Sequence, residues 1–107
     1  MIDHCAICKG KFAEKDLELS HDIPKYLGGN DLNGRHYLCE ECHDKYERMI
    51  LARCYAELKM LLPKPFSRKS LIPHMCNLKN SSESQKETFR KIAEQTKKEV
   101  FEDGKGI

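Results

Sequence analysis

Apolar residues recur every three or four positions in two long stretches of the chain. The first covers residues 41–62 and ends before Pro63, a residue that cannot continue a helix. The second begins after Ser82 and ends near Gly104, with Gln85 three residues after Ser82 as in a capping box. This spacing predicts two helices. We interpret the second as an amphipathic packing helix with a solvated face of Lys and Glu.

Alternating apolar and polar residues predict a short strand over residues 17–23, which Pro24 ends. A loop rich in Gly, Asn and Asp follows, and residues 35–38 are predicted to form the returning strand. A helix is expected to open at Cys42 and His43. The predicted order is strand, turn-rich loop, strand and helix, followed by further helices, which is a small α+β fold.

The segment of residues 63–80 mixes Pro, Lys, Arg and Ser and is expected to be a linker. We therefore expect a first unit over residues 1–62. The remaining residues, 63–107, are expected to form the linker and a C-terminal amphipathic helix that packs on the first unit.

Composition limits the size of the hydrophobic core. Of the 107 residues, 39% are hydrophobic and 34% are charged, so a single small domain with a thin stability margin is expected. The net charge of +2 is too balanced to identify a nucleic-acid partner by itself. No apolar run is long enough to span a membrane, and no signal-peptide pattern opens the sequence, so we expect a cytoplasmic protein.

Four of the six cysteines form two Cys-x-x-Cys pairs, and these pairs predict a metal site. The predicted ligands are Cys5, Cys8, Cys39 and Cys42. Four thiolates complete the tetrahedral shell of a structural zinc ion (Zn²⁺) and leave no open position for chemistry. An iron site with the same sulfurs, or two redox-active pairs, are the alternatives. Cys54 is expected in the core, and Cys76 has no partner at metal spacing.

The segment between the cysteine pairs carries a second group of motifs. His-x-Ile-Pro ends the first strand (His21–Pro24), Gly-Gly and Asn follow in the loop, and Leu-Cys-x-x-Cys-His comes last (Leu38–His43). In this order the motifs resemble the zinc-containing branch of the HNH endonucleases, over roughly residues 5–46. The resemblance implies a ββα-metal core with a catalytic divalent ion between hairpin and helix, separate from the structural zinc.

The resemblance also implies three catalytic roles. His21 matches the general base that takes a proton from the attacking water, and imidazole suits this role because it titrates near neutral pH. His43 matches the final histidine, which binds the catalytic Mg²⁺ or Mn²⁺. Asn33 is our choice for the central Asn that positions the base, and Asn30 is its rival.

Two positions depart from the family pattern. Many members carry Asp or His directly before the general base as a second metal ligand, whereas this chain has Ser20, a poor ligand for Mg²⁺. Water, Asp22 or Glu18 would have to complete the site. The family Asn commonly stands five residues before the third cysteine, where this chain has Gly34, one residue after Asn33.

These features predict a divalent-metal-dependent endonuclease that hydrolyses phosphodiester bonds in DNA. Lys and Arg residues near the site would contact phosphates without reading the bases, so weak sequence specificity is expected. Cleavage of both strands would need two active sites or two binding events, which makes a homodimer a candidate assembly. The alternative is a non-catalytic zinc module, derived from the HNH fold, that binds nucleic acid or protein.

Overall fold

The computed structural model describes residues 3–104. Residues 1–2 and 105–107 lie outside the described residues. The first pair stands at the chain start, where no signal peptide is expected, and the last three end the predicted second unit. Two strands and three α-helices follow one another in the order β1 (Leu17–His21), β2 (Arg35–Cys39), α1 (Glu40–Glu57), α2 (Ile72–Lys79) and α3 (Glu83–Lys97). This is the small α+β fold that the sequence predicts, a two-stranded antiparallel sheet with additional helices.

β1 and β2 form a hairpin in the register that pairs Leu17 with Cys39 and His21 with Arg35. β1 ends at His21 instead of Ile23, because the chain turns inward after His21 and the next residues are buried. Two one-turn 3₁₀ helices shape the connection between the strands. The hairpin therefore places His21 at the last position of a strand.

α1 follows β2 without a loop and packs against the sheet. It supplies much of the core, where its buried side chains include Tyr46, Ile50, Leu51 and Cys54. Leu38 of β2 is buried on the same side. The hairpin and α1 together give the ββα arrangement that the family resemblance implies.

The end of α1 corrects the sequence prediction. The helix stops at Glu57 instead of Leu62, because a Schellman motif closes its last turn well before Pro63. Lys59 adopts a left-handed conformation (φ +57°). Its N–H donates to the Ala56 carbonyl (2.9 Å), and the next N–H, that of Met60, donates to the Tyr55 carbonyl (2.8 Å).

The expectation of an irregular linker over residues 63–80 is wrong for its second half, which contains α2. Leu71, directly before α2, and Leu78, in its last turn, are buried and anchor α2 to the core. Pro73 stands in the first turn of α2, where its missing N–H would have had no helical partner. Pro73 therefore lies at the start of a helix, within a segment that was expected to be a linker.

α3 begins as predicted. The Gln85 N–H donates to the Ser82 Oγ (3.3 Å), and the Ser82 N–H donates back to the Gln85 side chain (3.4 Å), so the capping box is confirmed. The helix lies against α1 and buries Phe89, Ala93 and Thr96. A π-helical turn (Lys98–Glu102) continues it toward the predicted stop. Across residues 3–104, no helix is both long and apolar enough to cross a membrane.

Candidate active site and metal centre

The cysteines of the two Cys-x-x-Cys pairs come together beside the hairpin. All four Sγ atoms lie within 4.8 Å of one another, and the Sγ atoms of Cys8 and Cys39 are 4.0 Å apart. Within residues 3–104 this is the one group of Cys, His, Asp and Glu ligand atoms gathered so closely. The cluster is compatible with the predicted zinc site, since zinc takes four sulfurs in a tetrahedral shell.

The first Cys-x-x-Cys pair forms a tight turn that favours thiolates. Lys9 adopts a left-handed conformation (φ +62°), and the Gly10 N–H donates to the Cys8 Sγ (3.4 Å). Burial opposes ionisation of Cys5, but backbone hydrogen bonds from Cys39 and Cys8 outweigh it and lower its pKa to about 6. Because the thiolate is the form that binds metal, the turn is prepared for a cation.

The other cysteines and His4 stand apart from this cluster. Cys54 is fully buried in the core, as predicted, and burial together with the nearby Glu57 carboxylate raises its pKa to about 12. Cys76 is exposed on α2. The ring of His4 is paired with the neighbouring carboxylate of Asp3.

His21 is held by a carboxylate at the end of β1. Its ring is 16% exposed, and Nε2–H donates to the Asp31 Oδ1 (2.7 Å). Arg35 lies 3.6 Å from the same carboxyl group. The hydrogen bond with His21 and the charge of Arg35 lower the pKa of Asp31, so the carboxylate stays ionised and accepts from Nε2. Nδ1 is then the ring nitrogen able to accept a proton.

His43 is held between two carboxylates in the first turns of α1. Its ring is 7% exposed; Glu18 of β1 lies 2.8 Å from Nδ1, and Glu47 of α1 lies 3.2 Å from Nε2. Burial opposes a charge on the ring, but the hydrogen bonds to Glu47 and Glu18 outweigh it and raise the pKa of His43. Imidazole and carboxylate groups therefore meet where β1 packs on α1.

Arg68 completes the cluster around His43 from the segment that follows α1. Its guanidinium donates to the Glu18 Oε1, lies 2.9 Å from the His43 Nδ1 and is 3.5 Å from the Asp44 carboxylate. Burial raises the pKa of Glu18, but the hydrogen bonds from His43 and Arg68 outweigh this and lower it. Glu18 is thus an ionised carboxylate shared by the His43 ring and the Arg68 guanidinium.

A family model described as HNH endonuclease matches residues 5–59, just over half of the chain. The chain belongs to the HNH endonuclease family. No curated protein and no solved structure shows a significant match to it. The HNH match contains the four clustered cysteines, the hairpin and α1, whereas α2 and α3 lie beyond it.

His21 and His43 lie in separate polar clusters. His21 contacts Asp31, near Arg35, and His43 contacts Glu18. Glu18 and His21 are three residues apart on β1, which corresponds to about 10 Å along a strand. By the alternation of a strand, Glu18 and His21 also lie on opposite faces of β1, so the two clusters are separate.

The loop asparagines of the HNH segment cap a turn. Asn30 and Asn33 flank a one-turn 3₁₀ helix, where the Asn30 side chain accepts from the Leu32 N–H (2.8 Å) and the Asn33 side chain accepts from the Asn30 N–H (3.0 Å). The same turn carries Asp31, the partner of His21. Asn33 is thus joined to the candidate base through the loop that holds Asp31, and its catalytic role stays a prediction.

Gly34 stands at the HNH family's asparagine position for a steric reason. Its φ of +98° and ψ of 157° form a conformation that is open essentially to glycine alone. A Cβ at this position would lie 2.6 Å from the Asp22 Oδ2. Asp22 is itself buried, and its Oδ1 accepts a hydrogen bond from the His36 Nδ1–H (2.6 Å). The buried Asp22 carboxylate, which is bonded to the partly exposed His36, would therefore collide with an asparagine at residue 34.

Ser20, at the usual second-ligand position, is buried opposite His36. Glu18 stands two residues earlier, hence on the same face of β1, and it contacts His43. Glu18 and Asp22 were both expected as possible replacements for the missing ligand at Ser20. The contact between Glu18 and His43 supports Glu18, whereas Asp22 is bonded to His36.

Three neighbours of the histidines were not singled out from the sequence. Glu47 had a usable signal, because it stands four residues after His43 on one helix face. Asp31 lies in a turn where acidic residues are common, so its type carried little information. Arg68 is 25 residues from His43 and was expected only as a linker charge, since no short-range pattern reports a contact of that span.

The surface around His43 is divided by charge. An open groove of about 750 Å³ beside Glu18 is lined by carboxylates, including Asp16, Glu40, Glu41 and Asp44. The adjoining surface carries the cationic side chains of Lys45, Arg48 and Arg68. Because phosphates are repelled by the first surface and attracted by the second, the basic side is the favourable approach for a nucleic acid.

Proposed function

We propose that this HNH protein is a divalent-metal-dependent endonuclease that hydrolyses phosphodiester bonds in DNA. The observation that carries the proposal is that the HNH match over residues 5–59 contains two histidines each held by a carboxylate, His21 by Asp31 and His43 by Glu18. Both histidines lie within the family match. They supply the two functions that hydrolysis needs, proton removal from water and a ligand for a charge-stabilising ion.

His21 would act as the general base. With Nε2–H donated to Asp31, its Nδ1 would take a proton from a water molecule as the water oxygen bonds to phosphorus. The bond from phosphorus to the 3′ oxygen would break, and the leaving oxygen would take a proton from solvent. The products would be a 5′-phosphate and a 3′-hydroxyl.

Glu18 and His43 offer a donor set that fits a catalytic Mg²⁺ or Mn²⁺. A carboxylate oxygen and an imidazole nitrogen suit such ions, with waters in the remaining positions. Glu18 supplies the carboxylate that Ser20 lacks and faces the His43 Nδ1, whereas Glu47 faces Nε2 and would orient the ring. When bound, the ion stabilises the charge that develops on the phosphate and the leaving oxygen. Arg68 would give up its contact with Glu18 and bind the phosphate of the DNA instead.

The DNA contacts would be made mainly to the backbone. Lys45, Arg48 and the basic segment that follows α1 offer cations but no set of side chains arranged to read base edges, which supports weak sequence specificity. Cleavage of both strands would need a second active site, which a homodimer would supply. The metal-binding thiols suit a reducing compartment such as the cytoplasm.

One observation favours the alternative, a non-catalytic zinc module that binds nucleic acid. The Arg68 guanidinium already neutralises Glu18 and lies 2.9 Å from the His43 Nδ1, where a catalytic ion would have to bind. If Arg68 keeps this position, Glu18 and His43 stabilise the fold and bind no ion.

A plasmid-nicking assay decides between the two functions. Zinc-loaded protein is incubated with supercoiled DNA in Mg²⁺, in Mn²⁺ or without an added divalent ion. The proposal predicts nicks that require the ion and that DNA ligase can reseal, since they carry a 5′-phosphate and a 3′-hydroxyl. Binding of the plasmid without nicking in either ion would replace the proposal with the non-catalytic module.

A further inference from the structure

The segment between α1 and α2 is basic and displays an aromatic side chain. No Asp or Glu occurs between Glu57 and Glu83, in a chain with 17 acidic residues. We call residues 60–69 the basic loop. Phe66 in this loop is fully exposed, at 102% relative accessibility. A single exposed apolar side chain is common on proteins, so the surroundings of Phe66 decide what it means.

The basic loop is held at both ends. Arg48 of α1 donates to the Pro63 carbonyl (2.8 Å), next to the buried Leu62. At the other end, Arg68 donates to Glu18 of β1. Proline at position 63, and again at position 65, restricts the backbone between these anchors. Phe66 is therefore presented from a restrained loop, which lowers the entropy lost when a ligand covers it.

The anchors also place Phe66 beside the candidate active site. The end of the Arg68 side chain lies 2.9 Å from the His43 Nδ1, and Phe66 lines the same open groove as Arg68 and Asp44. The exposed cations of the loop are Lys64 and Lys69, one on each side of Phe66. A DNA strand with a phosphate at His43 would bring its neighbouring nucleotide within reach of the Phe66 ring.

We propose that Phe66 stacks on an unpaired nucleobase of DNA at the candidate active site, while Lys64 and Lys69 contact the flanking phosphates. This inference rests on the proposed function and specifies its substrate as DNA with unpaired bases. An aromatic face between cations binds single strands with little sequence preference, because every base offers a π-face. Bases inside a regular duplex are already stacked on their neighbours and offer no such face.

The test uses an indole placed at the tip of the loop. The chain contains no Trp, so Phe66→Trp introduces a single fluorescent reporter. The zinc-loaded full chain, without Mg²⁺, is titrated with a short oligothymidylate, a duplex of equal length, inorganic polyphosphate and phosphatidylserine vesicles. Stacking predicts strong quenching by the single strand, weaker quenching by the duplex, and none by polyphosphate or vesicles.

Affinity measurements on matched variants give a second readout. Phe66→Ala is expected to weaken oligothymidylate binding about 10-fold or more, and Phe66→Tyr is expected to retain it. Leu61→Ala removes a side chain that is 90% exposed in the same loop but not aromatic, so it is expected to bind like wild type. Lys64→Ala is expected to reduce the slope of log K against log salt by about one.

Two results would overturn the inference. One is unchanged oligothymidylate affinity for Phe66→Ala. The other is an indole that responds equally to polyphosphate or to vesicles, which would indicate an anion or lipid surface. Because binding is measured without Mg²⁺, failure here is distinct from failure of the proposed nuclease. Nicking by wild type with unchanged Phe66→Ala binding overturns stacking alone. Quenching by the oligothymidylate, with no cleavage of either plasmid or oligothymidylate in Mg²⁺ or Mn²⁺, supports stacking and overturns the nuclease.

Discussion

Among single residues, Glu18 is the one on which the proposed catalytic metal site depends most. It lies on the same face of β1 as Ser20, contacts His43, and is held ionised by His43 and Arg68. Its position two residues before Ser20 gives β1 a carboxylate that reaches α1. The proposed ion would therefore bind nearer the middle of the strand than the usual family ligand position.

Glu18→Gln is expected to weaken Mn²⁺ binding to zinc-loaded protein by about 10- to 100-fold, because the amide keeps the shape of the side chain but carries no charge. The electron paramagnetic resonance signal of free Mn²⁺ measures this affinity. Glu41→Gln is the matched control, since Glu41 lines the same groove but is paired with Lys45 on the surface of α1. Equal affinity in wild type and both variants would show that Glu18 is not a ligand.

Gly34→Asn restores the usual family residue and is expected to destabilise the protein. The added Cβ would meet the Asp22 carboxylate, and the backbone conformation is nearly closed to other residues, so a loss of about 1–3 kcal/mol is expected. Urea denaturation of zinc-loaded protein measures it. Gly104→Asn is the control, since Gly104 has a φ of +68° and nothing lies within 4 Å of the added Cβ. It is expected to lose less stability than Gly34→Asn. Wild-type stability for Gly34→Asn would contradict this reading.

At the scale of elements, the end of α1 offers a simple stability test. Lys59 occupies the left-handed position of the Schellman motif, which costs a non-glycine residue roughly 1 kcal/mol. Lys59→Gly is therefore expected to raise the free energy of unfolding by about that amount. Ala52→Gly, at an exposed interior position of the same helix, is expected to lower it by about 1 kcal/mol. Urea denaturation measures the free energy of unfolding of both variants. A lower value than wild type for Lys59→Gly as well as for Ala52→Gly would contradict this explanation of the helix end.

The elements that were predicted correctly have signals confined to a few neighbouring residues. The period of two marked β1, the turn-forming residues of the loop marked the return of the chain in β2, and the Ser82–Gln85 pair marked the start of α3. The end of α1 was missed because Lys59 gives no sign in the sequence that it will adopt a positive φ. α2 was missed because Pro73 was interpreted as a linker residue, whereas burial of Leu71 and Leu78 stabilises a helix there.

The candidate site, like the secondary structure, was predictable only where neighbouring residues carry the signal. The four cysteines cluster as expected because their spacing fixes each turn locally. The neighbours of His21 and His43 depend on how the hairpin folds onto α1, and on a contact that Arg68 makes across 25 residues. These contacts depend on tertiary packing, so they could not be predicted from local sequence patterns.

At the scale of the whole molecule, α3 stabilises the loop that holds the candidate base, although it lies beyond the family match. Arg90 donates to the Leu27 carbonyl (3.1 Å), and Lys97 donates to the Asn33 carbonyl (2.6 Å). Phe101, in the turn after α3, stacks on His36 with ring centroids 3.9 Å apart. The C-terminal segment is therefore part of the structure that positions the HNH loop, in addition to being a packing helix.

The most direct test of the account compares the rates at which zinc-loaded wild type and His21→Ala nick supercoiled plasmid in Mg²⁺. Removal of a general base is expected to lower the rate by about 10²- to 10⁴-fold. His74→Ala is the matched control, because His74 lies in α2, beyond the family match, and contacts Tyr55 of α1. Its loss is expected to leave the rate unchanged. Nicking by wild type and His74→Ala, with near loss in His21→Ala, is the predicted result. A folded, zinc-loaded His21→Ala protein that nicks at the wild-type rate would contradict it.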